Sequence, residues 1–465
     1  MTDPAAATIA VNRFGLGARP GELAKVSADP RAWLLDQAGR KSAFEMRADG
    51  LVTTRTAADA LAGYLEDQKK KKAAKAGTLS ADDEVAAILK PLKQLNDITL
   101  DEIEARANHG LTTPDSFAER LVYFWSNHFT VSASKAVTLP FAGVFEREVI
   151  RAGMTGTFAD LLVSSTRHPG MLMFLDQAQS IGPGSKAGKR RGKGLNENLG
   201  REILELHTVG PQGGYTQADV TEFAKALTGW SVAGKRTEKL VKGAAPGDFI
   251  FIDRVHEPGT REIMGRRYAP AGAAQAEAVL RDLAKHPSTA RRIAEKLARH
   301  FIADDPPKAA VAALEANFRK TGGELPELHR TLVGIEEAWA PEPRKFKTPN
   351  EFLLSSLRLL GLPKLERKGL VAAYTVLGQP TFRAPSPEGW PDDSPSWAGP
   401  DALIKRIEWA QALAERVGSG VRPEDLAKSA LGAALTPKTS QSIARAESAA
   451  QGLTIALMSP EFQRR

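Results

Sequence analysis

Two glutamates three residues apart, Glu202 and Glu205, stand with His207 inside GLNENLGREILELHTVGPQGGYTQADVTEFAKALTGW, residues 194 to 230. Two carboxylates in different surroundings can divide into a proton donor and a proton acceptor. Carboxylates with an imidazole also suit a divalent metal that activates water. At helical spacing Asn198, Arg201, Glu202 and Glu205 share an arc of about 100°, beside an apolar arc of roughly 80° formed by Leu195, Leu199, Ile203 and Leu206. His207 projects opposite Asn198, so Glu202, Glu205 and His207 could chelate one metal only if the helix distorts near its end, beside Gly210. The alternative is a salt-bridged surface face with Arg201. Asp219 has a similar double reading, as a site carboxylate or as a first-turn acid facing the positive end of a helix.

The other imidazoles are scattered. His128 lies in line with Phe117, Leu121 and Trp125 on an apolar face, where a histidine is a core residue or a ligand. His256, beside Glu257 in a turn, has fewer structural duties, whereas His300 falls near a buried stripe and reads as structural. His109, His168, His286 and His329 read as loop or cap positions. The chain has no HExxH, GxSxG, P-loop or GxGxxG signature, and the ExxE of Glu202 and Glu205 lacks the ExxH partners of a di-iron bundle.

The elements that must position these groups are mainly α-helical, because apolar residues recur at spacings of three and four. TTPDSFAERLVYFWSNHF opens with Thr113 as the expected N-cap and Pro114 at the first helical position. PSTARRIAEKLARHF places Pro287 at its head and Ile293, Leu297 and Phe301 inward. Thr216 and Asp219 form a variant capping box ahead of Val220, Phe223 and Leu227. A small two-stranded β element is expected near 248–268, flanking a turn at Pro258 and Gly259. A long Trp/Pro-rich loop near 378–400 carries Phe382, Trp390 and Trp397 and is expected to be packed or functional. The whole of 1–465 reads as one domain, with a basic flexible insertion at 66–80, a basic Gly-rich loop at 182–194 and a sub-boundary near 339–349.

Composition narrows the chemistry. The 465 residues are 42% hydrophobic and 25% charged, with Lys and Arg exceeding Asp and Glu by 63 to 55. The absence of cysteine excludes disulfides, thiolate metal sites and cysteine nucleophiles. No signal-peptide pattern opens the sequence, and no apolar run reaches the ~18 residues of a membrane span, so cytoplasmic residence is the expectation. The GKRRGKG loop brings no nucleic-acid-binding fold or interleaved aromatics with it, so nucleic acid is not the expected partner.

Several motifs in fixed order, WSNHF, MLMFLDQAQS, the 194–230 stretch, VHEPGTREIMG, GWPDDSPSWAGPDALIKR and LMSPEFQ, resemble those of the domain of unknown function 1800 family. The resemblance runs from about residue 8 to the C-terminus. It implies a predominantly helical bacterial protein and supplies no established reaction. It singles out His128, Asp176, Asn196, Glu197, Asn198, Arg201, Glu202, Glu205, His207, Tyr215, Asp219, Trp230, His256, Gly259, Trp390 and Trp397, with Arg261 where relatives often carry lysine. Relatives often carry an export signal and accompany a sulfatase-like secreted protein, which implies such a partner, and export with it, as an alternative to the cytoplasm.

Two functions follow as expectations. The first is a hydrolase, metal-assisted or acid–base and glycan-directed, with Glu202, Asp219, Glu205, Arg201, Asn198 and His128 as the reactive set. Tyr215, Trp230, Trp390, Trp397, Asp176 and His256 would then contact substrate. The second is a non-catalytic scaffold or binding partner, in which the same polar groups form a buried network fixing helix register.

Overall fold

Helix starts in this chain are written as a capping residue followed by proline. Asp3–Pro4, Asp29–Pro30, Thr348–Pro349, Thr436–Pro437 and Ser459–Pro460 each place proline at the head of a helix, and each cap accepts a backbone N–H of the first turn. Thr216–Asp219 and Thr348–Glu351 are full capping boxes. A computed structural model describes residues 3–46, 49–74, 81–191, 194–235 and 237–465, and the fold is mainly α-helical. No helix among the described residues is long and apolar enough to cross a membrane.

The helix expected after Thr113 spans Ser116–His128, with Asp115 at its N-cap position. Thr113 instead accepts the Asp115 N–H at 3.1 Å, which closes the turn after the preceding helix, Ala81–Thr112. Phe117, Leu121 and Trp125 are fully buried, as are Ile293, Leu297 and Phe301 of the helix Pro287–Phe301. These stripes join one apolar core that draws residues from Ala7 to Phe462. Phe14 links its layers, with its ring 5.8 Å from Phe117, 6.0 Å from Phe301 and 5.1 Å from Trp339.

The β structure is present but paired differently from expectation. Phe249–Phe251 pairs antiparallel with Trp230–Val232, held by a T-shaped contact of Trp230 on Phe249 at 4.9 Å. Arg261–Ile263 pairs with Arg266–Tyr268 in a separate hairpin. Its turn is Met264–Gly265, both at positive φ (49° and 73°), as a two-residue loop matched to strand twist requires.

The basic segment expected to be flexible over 66–80 continues the helix Thr54–Ala74 as far as Ala74, and residues 75–80 lie outside the described residues. In the 182–194 loop the Gly184 N–H donates to Glu257 at 2.6 Å, while residues 192 and 193 lie outside the description. In the 339–349 stretch residues 341–344 are exposed and residues 345–347 buried, and Lys345 exchanges both backbone hydrogen bonds with Arg465.

Charge is buried on both sides of this core. Glu119 and Arg151 form a two-pronged pair, 2.7 Å on each prong, next to Glu146 and Arg106 at 2.9 Å. Around Glu351 the balance is different, because Arg120 and Arg465 share that one carboxylate. Lys347 lies behind it, 4.0 Å from the Phe462 ring centroid, and donates to Ser355 at 3.1 Å. Burial, reinforced by Arg120, Arg465 and Arg406 against Glu351, pushes the Lys347 amine down to about 7. An unfolded lysine titrates near ~10.4, so between about pH 7 and 10 the unfolded chain binds more protons. Stability therefore rises with pH across that window, and the charging penalty is complete below it. Lys347→Met is expected to raise stability at pH 6 by about 1–4 kcal/mol and to flatten the pH slope. Chemical denaturation at pH 6 and 9 checks both.

Candidate functional site

The polar groups of the 194–230 stretch mostly lock local structure. Asn196 caps the next turn by accepting the Asn198 N–H at 2.9 Å, and its amide donates to the Asp176 carbonyl at 3.3 Å. Glu197 gathers Thr221, Gln217 and Arg201 at 2.6, 2.8 and 3.1 Å. Asp219 accepts from the Thr216 N–H and hydroxyl, both at 2.7 Å, and from the Met264 N–H at 2.5 Å. Burial pushes that carboxyl up, and these donors outweigh it, leaving it below its usual value and ionised. Asp219 thus fastens the Arg261–Tyr268 hairpin to the helix Gln217–Leu227.

Asp176 sits at φ 57° and pairs with Lys135 at 2.8 Å. His256 holds the Thr228 carbonyl at 2.8 Å through Nδ1, and Trp230 is buried in its strand.

The helix does distort at its end, as the metal reading required. Residues Ile203–His207 widen into a π-helical turn. His207 is nonetheless buried in the core, where His128 Nε2 meets its carbonyl at 3.2 Å. Burial, with Lys296 and Arg292 nearby, holds both imidazoles far below the usual histidine range, and hence neutral. No three His, Asp or Glu side chains among the described residues are arranged to hold a metal ion. Glu202 and Glu205 remain half-exposed, and Tyr215 donates to Glu205 at 3.4 Å. Burial and then the Glu205 charge raise the Glu202 carboxyl above its usual value, with Glu388 adding to the rise and Arg201 opposing it.

A cavity of about 490 Å³ lies between Ser116–His128, Pro287–Phe301 and the Trp/Pro-rich loop. Of the sequence candidates, His128 and Trp390 line it. The loop wall is pinned at Trp390, whose N–H and carbonyl both bond the Asn127 amide, at 2.8 and 2.9 Å. Gly389 sits at φ 92° with Asn127 so close that a Cβ would stand 2.5 Å from its carbonyl oxygen. Trp397 supports the wall from behind, 6.0 Å from Trp390 between ring centroids, with its indole N–H on the Pro391 carbonyl.

The reactive groups of the cavity are His300, which its spacing reads as structural, and Lys296 and Asp392, which the sequence does not single out. Lys296 and His300 are one helical turn apart and both line it. His300 Nδ1 lies 2.9 Å from Asp392 Oδ2. An ionised carboxylate can only accept, so the imidazole proton belongs on Nδ1, and Nε2, buried, has no hydrogen-bond partner among the described residues. Asp392 is held in turn by Lys345, whose ammonium donates to the Asp392 carbonyl at 2.6 Å and to Asp304 at 2.6 Å. Burial lowers the His300 pKa below its usual value despite the opposing pull of Asp392, so the ring is neutral at pH 7. Burial works upward on Asp392, but His300, Lys345 and Arg465 bring it to about 2.

Glu388 joins the two regions, because it lines the cavity and its charge is felt by Glu202, Arg292 and Lys296. A polar pair one turn apart on the edge of an apolar stripe, Lys296 and His300, was the signal available in the sequence. The adjacent aspartates of WPDDSP were its complement.

Comparison with known proteins gives one result: residues 9–464 match a family model described as a protein of unknown function (DUF1800). No curated protein and no solved structure matches the chain.

Proposed function

We propose that this chain, which belongs to the DUF1800 family, is a hydrolase that needs no metal and uses His300 as a general base on water. The observation that carries the reading is the Asp392–His300 contact of 2.9 Å on a cavity wall, with Nε2 unpartnered. A neutral imidazole whose far nitrogen is fixed by a carboxylate has its lone pair available on Nε2. Nε2 takes a proton from water as the water oxygen adds to a substrate carbonyl. It returns the proton to the leaving oxygen as the C–O bond breaks, giving an acid and an alcohol. Asp392 is a positioning residue that selects the tautomer and stabilises the imidazolium. Ester cleavage through His300 fits better than glycosidic cleavage by the Glu202 and Glu205 pair, because those two do not line the cavity whereas His300 does. The Trp390 face beside the base suits a sugar ring carrying the ester.

Turnover of p-nitrophenyl esters by the wild-type protein is expected to survive chelator. The acid limb of its pH profile should have its midpoint below the usual histidine value, because burial lowers the pKa of the base. Loss of turnover on chelation, or a fall centred near pH 7, would overturn the reading.

A second reading is favoured by the pairing of Asn196, Glu197, Asp219 and His256 within the fold. In it the chain is a non-catalytic scaffold for a sulfatase-like secreted protein, and His300 variants leave ester hydrolysis at background.

A further inference from the structure

Two cations that line the cavity, Lys296 and Arg299, have no hydrogen bond or ion pair among the described residues, and of these Arg299 is exposed while Lys296 is half-buried. Arg120 donates to Glu351 and to the Gly15 carbonyl at 2.7 Å, and Arg106 donates to Glu146 at 2.9 Å. Lys296 also lines the cavity, and its ammonium has no hydrogen bond or ion pair among the described residues. The charges that reach it come from every side. Arg292 and Arg299 flank it on its own helix, while Glu388 and Asp392 face it from the loop. Asp392 is engaged by His300 and Lys345, and its charge favours the Lys296 ammonium without a hydrogen bond or ion pair to it. Neutral His128 and His207 lie on its inner side and supply no negative charge.

We infer that Lys296 anchors an anion-binding subsite one helical turn from the His300 base, so that the substrate is a saccharide ester bearing its own carboxylate or sulfate group. This rests on reading the cavity as the substrate chamber. The spacing explains why the two side chains share a face: residues four apart on a helix point the same way, so one can grip the charged group while the other meets the scissile ester. The volume, about 490 Å³, is of the size that takes a small saccharide, and Trp390 offers it a flat apolar wall. Burial, then Arg292, pushes the amine down to about 8, so its charge is held only weakly when the cavity is empty. A bound anion would supply the missing partner and draw a proton onto Lys296 near pH 8.

Isothermal titration of the full chain tests this with three probes: digalacturonate, a sulfated disaccharide, and neutral cellobiose. At least one anionic probe is expected to bind tenfold or more tightly than cellobiose, and the stronger of the two identifies the group. Lys296→Met should abolish that preference while Lys296→Arg retains it. Repeating the titration at pH 8 in two buffers of different ionisation enthalpy should report proton uptake, absent in Lys296→Met. Cellobiose binding as tightly as both anionic probes, or a preference untouched by Lys296→Met, overturns the subsite. If p-nitrophenyl esters are hydrolysed through His300 but no anionic probe is preferred, the hydrolase reading stands and the subsite falls. If the anion preference depends on Lys296 while His300 variants hydrolyse normally, the subsite stands and the base assignment falls.

Discussion

Replacing His300 with glutamine is expected to lower kcat on p-nitrophenyl esters by about 10²–10⁴-fold, the range that a positioned general base supplies. The glutamine amide can still donate to Asp392, so the packing against Phe124 and Phe301 is disturbed little and the melting temperature should hold. Asp392→Asn is expected to produce a loss in the same range. Its amide can donate to Nδ1, which would shift the imidazole proton to Nε2 and remove the base. Stopped-flow or plate-based ester hydrolysis, with circular dichroism to confirm folding, reads both. If only the histidine variant lost activity, Asp392 would be a structural anchor of the loop.

The largest stability effect should come from the far side of the core. Glu119→Ala removes a fully buried carboxylate from Arg151 and leaves that guanidinium with Glu146 and the Phe44 carbonyl, each 3.4 Å away. Breaking one half of a buried pair costs about 3–5 kcal/mol, a large share of the ~5–15 kcal/mol that holds a typical domain together. In the intact pair, burial works upward on the Glu119 carboxyl, but Arg151 and His109 carry it well below its usual value. Its contribution is therefore complete at neutral pH and is lost only as pH falls through that lowered value. Urea denaturation of Glu119→Ala is expected to show this loss. The double variant Glu119→Leu/Arg151→Met should recover much of it, since an apolar pair of similar volume leaves no charge unpaired.

Local order was legible from the sequence where burial is local. Phe117, Leu121 and Trp125 mark a helix face by spacing alone, and that face is fully buried. Thr216 and Asp219 announce a capping box three residues apart, and the box is there. The strand Phe249–Phe251 was placed correctly but its partner was not, because Trp230–Val232 reaches it through a contact that no short window contains. The same limit hid the cavity. Arg120, His300, Glu351 and Asp392 come from four segments spread across the chain, and each resembles a structural residue in its own segment. His300 looked structural because it borders the apolar stripe of its helix, and it does pack on Phe301. Only the fold brings Asp392 to its Nδ1. The 194–230 motif drew notice through its density of polar groups, yet density alone does not separate a site from a set of locks. Glu197, Asn196 and Asp219 are spent on hydrogen bonds, Glu202 and Glu205 do not line the cavity, and Glu202 feels the charge of Glu388, which does.

Ester hydrolysis by this chain requires His300 to be a neutral base held by Asp392, and its imidazole nitrogens can be observed directly. Long-range ¹H–¹⁵N correlation spectra of the histidine-labelled protein, assigned with His300→Gln, should show the proton on Nδ1 and an unprotonated Nε2. Titration should protonate the ring with a midpoint below the ordinary histidine value of about 6.5. A proton on Nε2, or a doubly protonated ring at pH 7, would contradict a role for His300 as the base.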